Sequence, residues 1–221
     1  MKKILMALIM ILTLALTALT GCTDKETFTQ KRCEYDGNNI VSFKINAADR
    51  EIYVDVSYDN KIYIECYESE KEYYNITNEN GVISVNFVTD KKWTDFFGAK
   101  PSVDYRKISV KLPYGIISNI EVTTANENIT VNKVSVKQSI TLSSNGGSIL
   151  LDKVNAGSTI DLTAKNGDIL GTVIGDWNTF AIACTIKKGD CNLPLNKQDG
   201  NKLLTANCNN GDINVLFADG I

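Results

Sequence analysis

Between Asn119 and Phe217 the chain repeats itself five times, and this repeat limits what it can become. Each unit is a short apolar strand, a turn and a second short strand. The first strands are anchored by Ile120, Ile140, Ile160, Ile182 and Leu204, spaced by 20, 20, 22 and 22 residues. The second are anchored by Ile129, Ile149, Ile169, Cys191 and Ile213, always 9 residues after the first. Only the return segment varies, at 11, 11, 13 and 13 residues. Self-similarity at such a period marks stacked units, none of which can bury its apolar face alone.

Alternation within each unit says which side chains point inward. Ile120/Val122, Ile140/Leu142, Ile160/Leu162, Ile182/Cys184 and Leu204/Ala206 form two apolar columns, while Glu121, Thr141, Asp161 and Thr205 face out. The turns read Asn126-Glu127-Asn128, Gly146-Gly147-Ser148, Asn166-Gly167-Asp168, Lys188-Gly189-Asp190 and Asn210-Gly211-Asp212. Their recurrent glycine suits a corner with positive φ. The pattern predicts a mainly β fold: a parallel, right-handed β-solenoid of 20–22-residue coils preceded by irregular β strands, with Ile140, Ile160 and Ile182 directly over one another. At about 4.8 Å per strand, five coils would stand about 24 Å tall. A set of antiparallel hairpins is the rival, since Ser144-Asn145-Gly146-Gly147 resembles a hairpin turn.

Upstream the signal is weaker. Val41, Phe43, Ile45, then Ile52, Val54, Val56, then Ile62, Ile64, Cys66 alternate as half-buried strands do. The 9-residue step recurs from Phe43 to Ile52 and from Tyr74 to Ile83, as irregular coils of the same stack would show. The stretch Thr89 to Arg106 reads as a loop or short helix, and Ile108, Val110 and Leu112 as a strand ending at Pro113. This divides the chain into a signal segment (1–21), a polar tether (22–39), an irregular β region (40–117) and the regular repeats (118–221); the sequence leaves open whether the last two form one stack.

The first residues set an address. Met1-Lys2-Lys3 precedes an apolar run from Ile4 to Leu19 that ends in Leu19-Thr20-Gly21-Cys22, a secretory signal rather than a spanning helix. The ending resembles a bacterial lipobox, which implies acylation of Cys22 and anchorage on the extracytoplasmic face of the membrane. Removing Lys2 and Lys3 leaves 21 basic and 26 acidic residues, a formal charge of −5, which argues against nucleic acid as a partner. Cys184, Cys191 and Cys208 fall on apolar columns and read as core residues. Cys33 and Cys66 could pair in an oxidising compartment. There is no histidine and no Cys-x-x-Cys spacing, so zinc is not expected.

Taken together, the lipobox, the irregular strands, the Lys111-to-Pro113 strand end and the Asn-Gly-Asp-Ile repeats resemble the bacterial adhesin-type β-strand-repeat lipoproteins, related to the autotransporter adhesin head with the Gly-Ile-Asn signature. The likeness runs from about Val41 to Phe217. It implies a β-helical surface or envelope protein, and it brings no catalytic residues.

Candidate chemistry is sparse. Asp168, Asp190 and Asp212 share a column and could in principle hold Ca²⁺, but separate turn hydrogen bonds account for them more simply, with Lys165, Lys187 and Lys188 nearby. No cofactor is expected otherwise. Tyr53 and Tyr63 should project away from the core and offer a ligand surface. Trp93, Phe96 and Phe97 are similar candidates, though a role plugging the side or end of the core suits them better. No nucleophile elbow or phosphate loop occurs. The reading is a non-enzymatic, lipid-anchored envelope protein presenting a solenoid to a protein or glycan. An envelope-stress sensor bound to a membrane partner is the alternative, and a carbohydrate-active enzyme is a more distant one.

Overall fold

Eighteen strands account for most of the chain in a computed structural model, which describes residues 26–96 and 100–219. In chain order they are β1 (Thr29–Asp36), β2 (Ser42–Ala47), β3 (Glu51–Ser57), β4 (Lys61–Glu68), β5 (Glu72–Glu79), β6 (Val82–Thr89), β7 (Lys107–Pro113), β8 (Asn119–Thr124) and β9 (Ile129–Asn132). There follow β10 (Ser135–Val136), β11 (Ser139–Ser144), β12 (Ile149–Ala156), β13 (Thr159–Asn166), β14 (Ile169–Ile174), β15 (Phe180–Lys188), β16 (Asn196–Lys197), β17 (Lys202–Asn210) and β18 (Ile213–Ala218). Two sheets result. The first runs β1-β4-β7-β3-β9-β12-β14-β18 and the second β16-β15-β17-β13-β11-β8-β2-β6-β5.

Stacking of successive units is parallel, which excludes the hairpin alternative for the repeats. Ile140 lies in register with Ile120 on one side and Ile160 on the other. Ile149 does the same between Ile129 and Ile169. Each coil but that of β15, which meets the first sheet only through a bridge at Cys191, gives one strand to each sheet and turns its alternate aliphatic side chains into the space between. Ile120, Val122, Ile129, Val131, Ile140, Leu142 and Ile149 are all buried there. Burying such a side chain contributes about 1.5–3 kcal/mol, and the neighbouring coils supply the cover.

The order of stacking departs from the order of the sequence at both ends. Ile160 lies beside Leu204, not Ile182, and Leu204 in turn lies beside Ile182. The fifth coil is therefore inserted between the third and the fourth. At the other end, β2 and β3 are inserted between β8–β9 and β6–β7: Phe43 pairs with both Ile120 and Ile83, and Ile52 with both Ile129 and Ile108. The irregular β region and the repeats thus share both sheets. The step from Tyr74 to Ile83 is not a coil. It is an antiparallel hairpin, with Tyr74 opposite Phe87.

Antiparallel strands close the stack. β5 covers β6, β4 covers β7, and β1 covers β4. At the far end the two-residue β16 lies against β15. The edge strand β1 falls within the stretch expected to be a tether, so a tether reaching Asn39 is corrected. Its lack of an apolar period reflects an edge position, where Lys31, Arg32, Glu34 and Asp36 discourage pairing with another chain. The segment 89–106 holds two short 3-10 helices, Trp93–Phe96 and Val103–Arg106. Trp93 is 73% exposed and does not plug the core.

The turn glycines have two causes, the positive φ expected and a second that was not. Gly189 and Gly211 do have positive φ, 122° and 145°. Gly147 and Gly167 do not need it. A Cβ on Gly147 would stand 2.1 Å from the Glu127 carbonyl oxygen, and one on Gly167 2.4 Å from that of Gly147. Close approach of stacked backbones excludes any side chain there.

Candidate functional site

Alternation in the strands nearest the capped N-terminal end decides what their outer face displays. Because Ile52, Val54 and Val56 point inward, Tyr53 and Asp55 point outward; likewise Ile62, Ile64 and Cys66 turn Tyr63 and Glu65 out. Register then sets these side chains in rows across the first sheet. Asp55 stands opposite Lys111, which stands opposite Tyr63. Tyr53 stands opposite Ser109, which stands opposite Glu65. On the other flank Asn132 donates from Nδ2 to Asp55 Oδ1 at 3.0 Å.

The turn between β3 and β4 builds one wall of a shallow depression of about 750 Å3 above this face. Asp59 organises the turn. Its Oδ1 accepts from the Ser57 hydroxyl at 2.5 Å and from the Lys61 backbone N–H at 3.0 Å, and its Oδ2 accepts from Tyr63 Oη at 2.7 Å. The Ser57 and Tyr63 hydroxyls hold the Asp59 carboxyl below its usual value, and the same bond to Asp59 raises the Tyr63 phenol. Tyr58, at the tip, is 91% exposed. Lys111 and Lys133 complete a lining in which acids, bases and aromatic rings alternate. Such a surface can stack on a ring and hydrogen-bond to polar groups.

The sequence candidates are not brought into one site. Tyr53 and Tyr63 share the outer face but have β7 between them. Tyr53 Oη donates to Glu51 at 2.7 Å, and that bond, with partial burial, pushes its phenol up to about 12. Trp93 lies on the 89–106 segment, which the Lys71–Asp95 ion pair ties to the start of β5 and so to the other sheet. Cys22, Phe97 and the Phe96 side chain lie outside the described residues. Asp55, Tyr58, Asp59, Lys111 and Lys133 were missed. Only Asp55 and Lys111 carried a signal, as polar residues alternating with apolar ones in their strands.

The aspartate column is a hydrogen-bond ladder. Ser148 N–H donates to Asn128 Oδ1 at 2.8 Å, and Asp168 N–H to Ser148 Oγ at 3.0 Å. Asp212 N–H donates to Asp168 Oδ1 at 2.9 Å, and Asp190 N–H to Asp212 Oδ1 at 2.8 Å. Each side chain thus accepts from the backbone of the next coil. Among the described residues no group of three or more acidic, Cys or His side chains is placed to hold a metal ion.

A second feature unread in the sequence is a buried charge network at the N-terminal cap. Arg50 is 1% exposed. Its Nη2 meets Glu72 at 2.6 Å, Nε donates to Tyr74 Oη at 3.0 Å, and Nη1 donates to the Asp49 carbonyl at 2.9 Å. The guanidinium carbon lies 4.1 Å from the centre of the Phe87 ring. Lys91 reaches the other Glu72 oxygen at 2.7 Å and Glu26 at 2.9 Å. The network fastens the β5–β6 hairpin to the coil beneath.

Comparison with known proteins places this architecture. The family model described as Toastrack DUF4097 matches residues 40–219. The chain belongs to that family. Members of the Toastrack family share a β-solenoid-like repeat, in line with the two stacked sheets. A solved "putative cell adhesion protein" from Clostridium sporogenes is similar in fold, with a TM-score of 0.62 over 88% of this chain and 100% of that one, at 12% identity. A "putative adhesin" from Bacteroides fragilis aligns over 85% of this chain and 97% of that one, at 12% identity and a TM-score of 0.30. A search of curated proteins finds no match.

Proposed function

We propose that this Toastrack protein is a lipid-anchored envelope protein whose right-handed solenoid presents the outer face of its first sheet to a protein or glycan partner. The observation that carries the reading is the depression beside the β3–β4 turn. Exposed Tyr58, the Asp59-bonded Tyr63 and the rows through Asp55 and Lys111 form a polar, ring-bearing surface on a rigid sheet. The Ser57 and Tyr63 hydroxyls are already fixed by Asp59, so little order has to be gained there on binding. The adhesion-type names of the structural neighbours fit a surface role, as does the resemblance to adhesin-type lipoproteins. Anchorage through acylated Cys22 fits the lipobox, because each buried methylene contributes about 0.8 kcal/mol and two or more chains hold a protein at a membrane.

The test is crosslinking and pull-down from intact cells with the full chain, alongside a Tyr58→Ala/Lys111→Ala variant that leaves the core untouched. The proposal expects a specific surface protein or glycan to be captured by the native protein and lost with the variant. Equal capture by both would move the contact elsewhere, and a captured membrane-embedded signalling protein would favour the sensor reading. Turnover of an acidic polysaccharide would overturn the binding role.

A further inference from the structure

The last coil in the stack holds two cysteines where every other coil holds aliphatic residues. The residue two after the first anchor and the second anchor itself read Val122 and Ile129, Leu142 and Ile149, Leu162 and Ile169, and Ala206 and Ile213. In the coil begun by β15 they are Cys184 and Cys191. Each pair stands on opposite sheets and points into the core between them. Here the two Sγ atoms are 3.2 Å apart, about 1 Å more than a disulfide bond of about 2.05 Å. Both are thiols in the structure. This coil ends the stack: β15 has only the two-residue β16 on its outer side, and Cys191 joins the first sheet through a single bridge to Ile213.

We propose that Cys184 and Cys191 form a reversible disulfide that staples the two sheets together across the terminal coil. The oxidant is a disulfide of low molecular weight or on an oxidoreductase protein. Cys191, the less buried of the two, enters first. Its sulfur, having lost its proton to water, attacks one sulfur of the oxidant and releases the other half as a thiol. The Leu193 backbone N–H, 3.4 Å from Cys191 Sγ, is placed to steady the negative charge. Cys184 then gives up its own proton, attacks the Cys191 sulfur of the mixed disulfide and releases the second half as a thiol. Two protein thiols are oxidised and one disulfide is reduced to two thiols. Burial and the contact with Cys191 push the Cys184 thiol up to about 12, which makes ring closure the slower step. Cys208 does not compete, because its Sγ faces the Gly167 and Gly211 carbonyls at 3.4 Å.

The experiment oxidises the purified full-length protein with oxidised glutathione, alkylates what remains and digests with trypsin. Lys187 and Lys188 lie between the two cysteines, so cleavage separates them unless a disulfide holds the peptides together. The expected result is a crosslinked pair that falls apart on reduction. A melting temperature higher by about 5 °C in the oxidised protein should accompany it. Cys184→Ala, which copies Ala206 of the neighbouring coil and should fold, is expected to lose both the crosslink and the shift. A stable glutathione adduct on Cys191, a bond from Cys184 to Cys208, or two thiols still open to alkylation would overturn the disulfide. Identical melting of oxidised and reduced protein would overturn the staple.

Discussion

Asp168 accepts a hydrogen bond at 2.9 Å from the backbone N–H of Asp212, 44 positions further on, with Asp190 lying beyond Asp212. Three features agree on this inverted order: the ladder, the pairing of Ile160 with Leu204 and the stacking of Gly211 on Gly167. Cysteine pairs on the outer face test it directly. Asp161 is in register with Thr205, and Thr205 with Ala183. Asp161→Cys with Thr205→Cys should therefore oxidise readily, at a Cα separation near 5 Å. Asp161→Cys with Ala183→Cys, about 10 Å apart, should not. A crosslink in the second pair alone would restore the sequential order.

The core is tested at Ile160. Ile160→Asp places a carboxylate between Ile140 and Leu204 and should cost about 4 kcal/mol or more. The outward control is Thr141→Lys, because Thr141 sits between Glu121 and Asp161 and a lysine meets opposite charge on both sides. It should change stability by about 0.5 kcal/mol or less. Equal denaturation midpoints would refute the inward and outward assignment.

At the cap, Glu72→Gln leaves the Arg50 guanidinium buried beside a neutral amide and removes one of the two carboxylates that Lys91 meets, leaving it Glu26. Removing one member of a buried pair costs about 3–5 kcal/mol, and this variant should approach that range. Native-state hydrogen exchange should show the loss first in β5 and β6. Unchanged protection there would mean that the network does not fasten the hairpin.

Alkaline pH should loosen the protein in a defined way. The Tyr53 phenol rises from an ordinary value of 10.0 to about 12 in the fold. The folded state therefore keeps a proton that the unfolded chain loses. The resulting stability is complete below pH 10 and is lost as pH climbs towards 12. Tyr53→Phe should flatten the fall across that window and remove the matching part of the tyrosinate absorbance titration. Superimposable curves for variant and native protein would remove Tyr53 as a cause.

For the address, Cys22→Ser should leave either an unprocessed precursor or a protein shed to the medium. An unchanged mass and an unchanged membrane fraction would end the lipoprotein reading.

The parallel columns were legible because burial imposes a period of two along a strand, and stacking imposes a period of 20 to 22 along the chain. The stacking order was not legible. Leu204 and Ile182 fit beside Ile160 equally well as apolar side chains, and what separates them is the path of the return segments, which has no periodic signal. β1 was hidden for a related reason: an edge strand with a charged outer side has no apolar alternation to read. The site suffered most. Asp59 and Tyr58 lie in a turn, and their significance comes from Ser57 and Tyr63 folding back on one carboxylate, a contact no spacing rule encodes. Arg50 reads as a surface residue until Glu72, Tyr74 and Phe87 close over it.

The inverted coil order at both ends has a mechanical consequence. A solenoid stacked in sequence order can be unzipped by tension on its last residues, one coil at a time. Here β17 pairs along its length with both β13 and β15, so tension that has peeled β18 from β14 then meets strand pairing on two sides at once. The same clamp orders events during synthesis. The coil of β15 must leave a gap against β13 until β17 arrives to fill it, so this end of the fold cannot lock before β17 has paired on both sides.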